Sequence, residues 1–247
     1  MADIHLCDGE RGGIGKSFYC RALIELLWEK YPEEFAVFDC DRSNDDVRQI
    51  IGRHMPVNLA IYSEGERFED APNQIYNLAV DQRVVTNLPA QVFHAMKQWW
   101  LTNQIAKIAL EDGVTFTRWF VTDGSWDSMK LFKKSVGFYG HDVRTVLVKN
   151  WGRSDDFQDL ESDEEIAALL EKYDIPVMDF PKMPGSKARN LIDRESLTFS
   201  EAINADPPVL DRINRARVSR FLEVAFEAIE ATGAMPVPPV HSITHTK

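Results

Sequence analysis

A glycine-rich stretch between an apolar run and a helical pattern constrains this sequence more than any other feature. Residues 9–17 read Gly-Glu-Arg-Gly-Gly-Ile-Gly-Lys-Ser and follow the apolar run from Ile4 to Cys7. From Phe18 onward, apolar side chains recur at helical spacing. The order strand, glycine loop and helix predicts a phosphate-binding loop.

Each part of this loop suits a phosphate group. Glycines let backbone N–H groups approach phosphate oxygens closely, and the next helix adds its positive N-terminal end. Lys16 is expected beside the β and γ phosphates, and the Ser17 hydroxyl is expected to bind Mg²⁺. The predicted nucleotide contacts are Gly12, Gly13, Ile14, Gly15, Lys16, Ser17 and Phe18. An ordinary glycine turn is the alternative interpretation.

The spacing of the loop suggests a particular family. The general pattern G-x-x-x-x-G-K-[ST] requires glycine at position 10, which is Glu10 here. Residues 11–17 instead resemble the deviant Walker A motif K-G-G-x-G-K-[ST] of the ParA/MinD family of ATPases. Arg11 takes the place of the signature lysine. The resemblance implies that Arg11 reaches the partner's phosphates in a nucleotide-sandwich dimer.

Two aspartates follow the second strand, which is predicted from Phe35 to Asp39. Residues 37–44 resemble the D-x-D motif of the family's second strand. The resemblance implies that Asp41 orients the attacking water or the Mg²⁺ shell, with Asp39 as its support. The alternative is that both aspartates cap a helix over residues 45–51.

Asn87 departs from the family pattern. Residues 83–91 resemble the Walker B segment, an apolar strand that ends in an acid, but Asn87 occupies the acidic position. An amide can serve a metal site without contributing negative charge. Asn87 is therefore included with Ser17 and Asp41 in the predicted metal site, and a protein that no longer hydrolyses nucleotide is a second hypothesis.

Two later segments resemble the family's base-binding region. A strand over residues 143–148 leads to Asn150, which resembles the asparagine that reads the adenine edge. The loop after the strand over residues 175–181 resembles the one in which a proline, here Pro181, borders the base. This loop carries Lys182, Lys187 and Arg189; we interpret them as a solvated surface, with phosphate or nucleic-acid contact as the alternative.

The remaining pattern favours one α/β domain. Further strands are predicted at residues 57–62, 74–80 and 116–121, and helices at residues 90–110, 127–136, 164–173 and 209–231. Asp123 and Asp127 lie after a strand and are interpreted as turn-forming, with recruitment to the site as the alternative. Alternating strands and helices predict a three-layer sandwich with a mainly parallel twisted sheet and helices on both faces, the P-loop NTPase fold.

Composition limits the partners. The 247 residues carry a net charge of −11, which argues against a broad attraction to nucleic acid or anionic membranes. A nucleotide-binding domain over residues 1–232 and a proline-rich tail over 233–247 are expected, without a membrane-binding helix. Four arginines offer a local DNA contact: Arg212, Arg215, Arg217 and Arg220. Three cysteines without metal spacing and no long apolar segment favour a cytoplasmic protein.

The function implied by the resemblance is an ATP-binding switch. ATP with Mg²⁺ would stabilise a homodimer, slow hydrolysis would release it, and a protein partner would be positioned. Lys16, Arg11 and Asp41 are the expected catalytic residues, and plasmid partition, conjugal transfer of the TraL type or cargo positioning are the expected settings. The alternatives are an assembly module that no longer hydrolyses and a small-molecule P-loop kinase.

Overall fold

The central feature of the structure is one parallel sheet. A computed structural model describes residues 2–31, 33–63, 65 and 68–235. The strands are β1 (Asp3–Asp8), β2 (Phe35–Asp39), β3 (Val57–Leu59), β4 (Arg83–Asn87), β5 (Thr115–Thr122), β6 (Arg144–Asn150) and β7 (Val177–Phe180). Their order is β3-β2-β4-β1-β5-β6-β7, and all neighbours pair in parallel. Near-continuous burial of the inner strands is typical of a sheet covered on both faces.

The helices fill the connections between strands. They are α1 (Lys16–Lys30), α2 (Asp46–Ile51), α3 (Asn73–Ala79), α4 (Phe93–Thr102), α5 (Ile105–Asp112), α6 (Trp126–Tyr139), α7 (Gln158–Glu161), α8 (Glu164–Lys172), α9 (Ser186–Arg194), α10 (Phe199–Asn204) and α11 (Arg212–Ala231). Apolar residues of α1, α2 and α9–α11 share one core with the sheet. Residues of α3–α8 form the cores on the other face. The predicted three-layer α/β sandwich is confirmed.

Two predicted elements are wrong. Residues 74–79 form most of α3, not a strand, because Ile75, Tyr76 and Ala79 fall on one helical face that is buried against the sheet. The single helix predicted over residues 90–110 is two helices, because Gln104 adopts a φ of 52° between α4 and α5. The strand expected over residues 57–62 ends at Leu59.

The end of the described chain packs against the body. Ala234 and Met235 are buried in the core that includes α11, two and three residues beyond the predicted end of the domain at residue 232. The rest of the predicted tail, residues 236–247, lies outside the described residues. Within the described part, none of the helices combines the length and apolar character needed to cross a membrane. Cys7, Cys20 and Cys40 are free and buried, as small apolar core residues are.

Candidate functional site

The glycine loop joins β1 to α1 at the carboxyl end of the central strand. Gly13 and Gly15 have φ angles of 78° and 93°, in the left-handed region that favours glycine. A Cβ atom at Gly12 or Gly13 would meet no other atom within 4 Å, so this side of the loop is open. Among the described residues, no acceptor pairs with the backbone N–H groups of Gly13, Gly15 and Lys16. The loop thus offers unpaired donors, as phosphate binding requires.

A cleft of about 460 Å³ opens onto this loop. Seven predicted site residues line it: Gly12, Gly13, Gly15, Lys16, Ser17, Phe18 and Asp41. A second cleft of about 480 Å³ lies at the opposite end of the sheet, beside Asp3 and Arg144, and contains no part of the loop. In parallel α/β sheets, ligands bind beyond the carboxyl ends of the strands, which favours the first cleft.

Lys16 is the first residue of α1 and is buried at the base of the cleft. Its Nζ donates to the carbonyl oxygen of Arg11 at 3.2 Å. Burial lowers the pKa of Lys16, while the nearby carboxylates of Asp8, Asp41 and Glu10 act in the opposite direction. The carboxylates therefore favour the charged ammonium that a phosphate would also require.

Arg11 is held by its own chain. Its Nη1 donates to Asp123 Oδ2 at 2.7 Å and to Ser125 Oγ at 2.8 Å. Asp123 in turn accepts from the backbone N–H and the hydroxyl of Ser125. Asp123 therefore combines the turn-forming role with a contact to the loop. The predicted contact of Arg11 with a partner's phosphate stays a prediction.

Ser17, Asp39 and Asn87 form one polar group where β2 and β4 meet α1. Asn87 is fully buried, and its Nδ2 donates to Ser17 Oγ at 3.3 Å and to Asp39 Oδ1 at 3.0 Å. Within the described structure, Asn87 Oδ1 has no hydrogen-bond partner. Asp39 also accepts from the backbone N–H groups of Asp41 and Arg48. The Asp39 carboxylate thus lies directly beside Asn87, and Asn87 occupies the position at which the family pattern has an acidic residue.

Asp39 and Asp41 differ in their environments. Burial raises the pKa of Asp39 above its ordinary value. Asp41 is half-buried and lines the cleft, and its Oδ1 accepts from the backbone N–H and the hydroxyl of Ser43 at 3.0 and 2.6 Å. Asp39 reaches the first turns of α2 through Arg48 N–H, so it partly plays the capping role considered above.

Asn150 lies against the glycine loop. Its Nδ2 donates to the Ile14 carbonyl oxygen at 2.7 Å, and its Oδ1 accepts from Gly152 N–H at 3.0 Å. The amide thereby joins the turn after β6 to the loop, and its predicted adenine contact stays a prediction. Pro181 follows β7 and is not among the described residues that line the cleft. Phe18 does line it, in edge contact with Phe199 at 5.0 Å between ring centroids.

The structure adds residues to the cleft that the sequence did not single out. Among them are Arg21, Arg153, Asn190 and Asp193. Arg189, from the basic loop named above, also lines the cleft. Arg21 is buried and donates to Asp193 Oδ1 at 2.8 Å. Lys182 instead pairs with Asp155 at 2.8 Å, consistent with a surface role. The sequence offered one signal for Arg153: it follows Asn150, a predicted site residue, by three positions.

A second polar cluster lies beside the first residues of the loop. It comprises the buried residues Asp8, Glu10, Arg118 and Tyr139. Arg118 Nη1 is 3.6 Å from Asp8 Oδ2, too long for a hydrogen bond. Glu10 Oε1, Tyr139 OH and all three guanidinium nitrogens of Arg118 lack partners among the described residues. Burial, reinforced by the Asp8 carboxylate, raises the pKa of Glu10 to about 8.

The donor set fits Mg²⁺ only together with a phosphate. No group of three or more His, Cys, Asp or Glu residues within the described ranges could hold a metal ion alone. The cleft does offer the Ser17 hydroxyl and the Asp41 carboxylate, and Asn87 is buried behind Ser17 with its Oδ1 unpartnered among the described residues. Mg²⁺ usually combines one or two protein ligands with waters and substrate phosphates, and these oxygens suit that mode.

The four arginines of α11 are not among the described residues that line the cleft. Arg220 pairs with Glu223 at 3.1 Å, and Arg217 Nη1 lies 3.5 Å from Asn214 Oδ1. No observation links them to a nucleic acid, so their contact with DNA stays a prediction.

The sheet order and the glycine loop between β1 and α1 define a P-loop NTPase fold. No family model and no curated protein matches the chain. Solved structures do match. A chain of the MinC:MinD cell division protein complex of Aquifex aeolicus aligns with a TM-score of 0.55 at 12% identity, covering 96% of this chain and 97% of that one.

Two further structures agree. The septum site-determining protein MinD of Pyrococcus horikoshii OT3, complexed with Mg-ADP, has a TM-score of 0.54 at 16% identity, with 95% and 99% of the two chains covered. A ParA family ATPase from Chlorobium tepidum TLS has a TM-score of 0.50 at 11% identity, with 89% and 97% covered. At these identities, the similarity establishes the shared fold.

Proposed function

We propose that this protein binds ATP with Mg²⁺ in the cleft and uses the nucleotide as a dimerisation switch of the ParA/MinD type. The observation that carries the proposal is the glycine loop, whose unpaired N–H groups lie beside the buried ammonium of Lys16. The fold shared with MinD and ParA-family structures supports it. The proposed setting is the cytoplasm, with a protein partner positioned in plasmid partition, conjugal transfer or a related process.

The side chains have distinct proposed roles. The loop N–H groups and Lys16 hold the phosphates, and Ser17 and Asp41 hold the metal. We propose that Asn87, buried behind Ser17, supports the metal site. Bound Mg²⁺ would neutralise charge on the phosphate oxygens. Asp41 lines the cleft. Its proposed further role is to orient the attacking water through its carboxylate.

Hydrolysis is proposed to be slow, and a second function follows from the same group of residues. Asn87 supplies no charge and donates its amide hydrogens to Ser17 and Asp39. Burial also raises the pKa of the neighbouring Asp39 carboxyl above its ordinary value. A nucleotide-binding assembly module without turnover is therefore the second candidate.

Lys16→Ala tests nucleotide binding. Removing the ammonium should weaken ATP binding by about 100-fold, because a charge-assisted contact to phosphate is lost in a buried site. Isothermal titration with Mg²⁺-ATP measures the affinity, and phosphate release with and without Mg²⁺ measures turnover.

Lys107→Ala is the matched control, since Lys107 is exposed on α5 and pairs with Glu111 at 3.9 Å. It should bind ATP like the wild type. Equal affinity of wild type and Lys16→Ala would refute nucleotide binding by this loop. Phosphate release that disappears in Lys16→Ala would exclude the module without turnover.

Arg11 offers a test of the dimer. With a non-hydrolysable ATP analogue and Mg²⁺, the wild-type molar mass from light scattering should double, whereas Arg11→Ala should stay monomeric. Asp123→Ala should dimerise at lower analogue concentration, because the 2.7 Å contact that holds Arg11 in its own chain is removed. A wild type that remains monomeric at saturating analogue contradicts the switch.

A further inference from the structure

The turn after β6 is fastened to the glycine loop by Asn150. Its Nδ2 donates to Ile14 O and its Oδ1 accepts from Gly152 N–H, while Arg153 N–H donates to Asn150 O at 2.9 Å. A Cβ atom at Gly15 would collide with Asn150 Nδ2, so the two segments are in close contact. Residues 150–153 therefore have a fixed position relative to the loop.

Arg153 projects from this turn over the loop. Its Nε lies 3.7 Å from the position that a Cβ atom would take at Gly15, and the residue lines the same cleft as Lys16. Within the described chain, the Arg153 side chain makes no hydrogen bond or ion pair. Arg189 also lines the cleft and likewise has no partner among the described residues.

Two further arginines near the loop, unlike Arg153 and Arg189, already have side-chain partners. Arg11 is bound to Asp123 and Ser125, and Arg21 is bound to Asp193. The chain as a whole has a net charge of −11. A guanidinium without a side-chain partner, beside unpaired loop N–H groups, therefore makes this cleft locally positive. Guanidinium groups match phosphate oxygens with two parallel donors, and they do so more strongly than neutral donors.

We propose that Arg153 contacts the phosphate groups of the bound nucleotide from within the same chain, and that Asn150 is the positioning residue that holds it there. This inference rests on the proposed nucleotide binding and assigns a second cation to it. It differs from the role of Arg11, whose proposed target is a partner's nucleotide. Proximity to Gly15 favours the phosphates over the base, because the loop glycines are the predicted phosphate contacts.

The test compares ATP, GTP and tripolyphosphate, each with Mg²⁺, by isothermal titration against wild type and Arg153→Gln. Loss of one phosphate contact should weaken all three about equally, by about tenfold, or about 1.4 kcal/mol. Arg153→Lys, which keeps the charge but loses the planar fork, should recover part of the affinity. Arg144→Gln is the matched control: it removes the same charge at the opposite end of β6 and should leave all three affinities unchanged.

Asn150→Ala tests the positioning role. It should weaken tripolyphosphate binding, and the double variant with Arg153→Gln should be little weaker than Arg153→Gln alone, because both changes remove the same contact. Fully additive losses would show that Asn150 does not act through Arg153.

The outcomes separate this inference from the proposed function. If the wild type binds neither ATP nor tripolyphosphate, both fail. If Lys16→Ala loses binding while Arg153→Gln binds all three ligands like the wild type, only the role of Arg153 fails. A loss confined to ATP or GTP, with tripolyphosphate unaffected, would assign Arg153 to the base and overturn the phosphate contact. Thermal unfolding of each variant checks that the fold is retained.

Discussion

Each end of β1 has a buried aspartate beside a buried arginine, but only the pair at the first end is joined by hydrogen bonds. At the first end, Arg83 Nε donates to both oxygens of Asp3 at 3.0 Å, and His5 Nε2 lies 3.1 Å from Asp3 Oδ2. Trp119 Nε1 donates to His5 Nδ1 at 3.1 Å, which leaves the His5 proton on Nε2. No buried nitrogen or oxygen of these four side chains lacks a partner within the described structure.

At the other end, where the glycine loop begins, the pairing is incomplete. Asp8 and Arg118 are 3.6 Å apart, and Glu10 Oε1 and Tyr139 OH have no partner among the described residues. Burial lowers the pKa of Arg118 and raises that of Glu10. The buried polar atoms at the Asp3 end of β1 therefore have hydrogen-bond partners, whereas several at the Asp8 end, beside the candidate site, have none within the described structure.

This difference distinguishes buried polar groups that stabilise the fold from those that are left unpaired beside a site. A satisfied buried network adds rigidity, whereas unpaired buried groups cost free energy and concentrate where a site requires them. Glu10 contributes a specific link, because interaction with Phe93 N–H at the start of α4 acts to lower the pKa of its carboxyl. Its backbone oxygen also accepts from Gln91 N–H, so the loop after Asn87 is attached to the glycine loop.

The largest expected loss of stability comes from removing the arginine at the hydrogen-bonded end of β1. Arg83→Met leaves the Asp3 carboxylate buried beside His5 alone and should cost about 3–5 kcal/mol of unfolding free energy. Arg118→Met should cost about 2 kcal/mol or less, since no hydrogen bond repays the burial of that guanidinium. Urea unfolding at constant pH measures both.

The double variant Asp3→Asn with Arg83→Met is the control, because it removes the charge and its partner together. It should recover much of the loss seen in Arg83→Met. If Arg118→Met proves as costly as Arg83→Met, the Asp8 end is as well paired as the Asp3 end, and the contrast between them is lost.

Most of the fold could be predicted from the sequence because strand and helix signals were strong around the loop. The apolar run before Gly9 and the helical spacing after Lys16 predicted β1 and α1, and the D-x-D segment marked the end of β2. Residues 74–80 were misassigned because a seven-residue segment with Ile75, Tyr76 and Ala79 is compatible with either period. Only packing against the sheet decides between them.

The candidate site was predicted less completely, because its contacts depend on strand register. Leu6 pairs with Arg118 and Asp8 with Phe120 across β1 and β5, and this register brings the Arg118 guanidinium to Asp8. No local pattern reveals such a pairing. The contact of Asn150 with Ile14 O was equally hidden, since its acceptor is a backbone atom.

A smaller expected effect is the pH dependence of the free energy of unfolding that Glu10, at the Asp8 end of β1, contributes. Glu10 has an ordinary pKa of 4.5 and a folded pKa of about 8. The unfolded chain thus loses the Glu10 proton at a lower pH than the folded protein does. Stability from this group is present below about pH 4.5 and is lost as the pH rises to about 8.

Glu10→Gln should remove this part of the pH dependence while keeping an oxygen acceptor for Phe93 N–H. Between pH 5 and pH 8, the wild type should lose up to about 3.5 kcal/mol more unfolding free energy than the variant does. Urea unfolding at several pH values measures the difference, and Glu29→Gln, at an exposed position of α1, should follow the wild type. Burial also raises the pKa of Asp39 and Glu25, so a shallower slope remains in the variant. Parallel curves for wild type and Glu10→Gln would mean that Glu10 is ionised in the folded protein and that Arg118 compensates its charge, which would make the two ends of β1 alike.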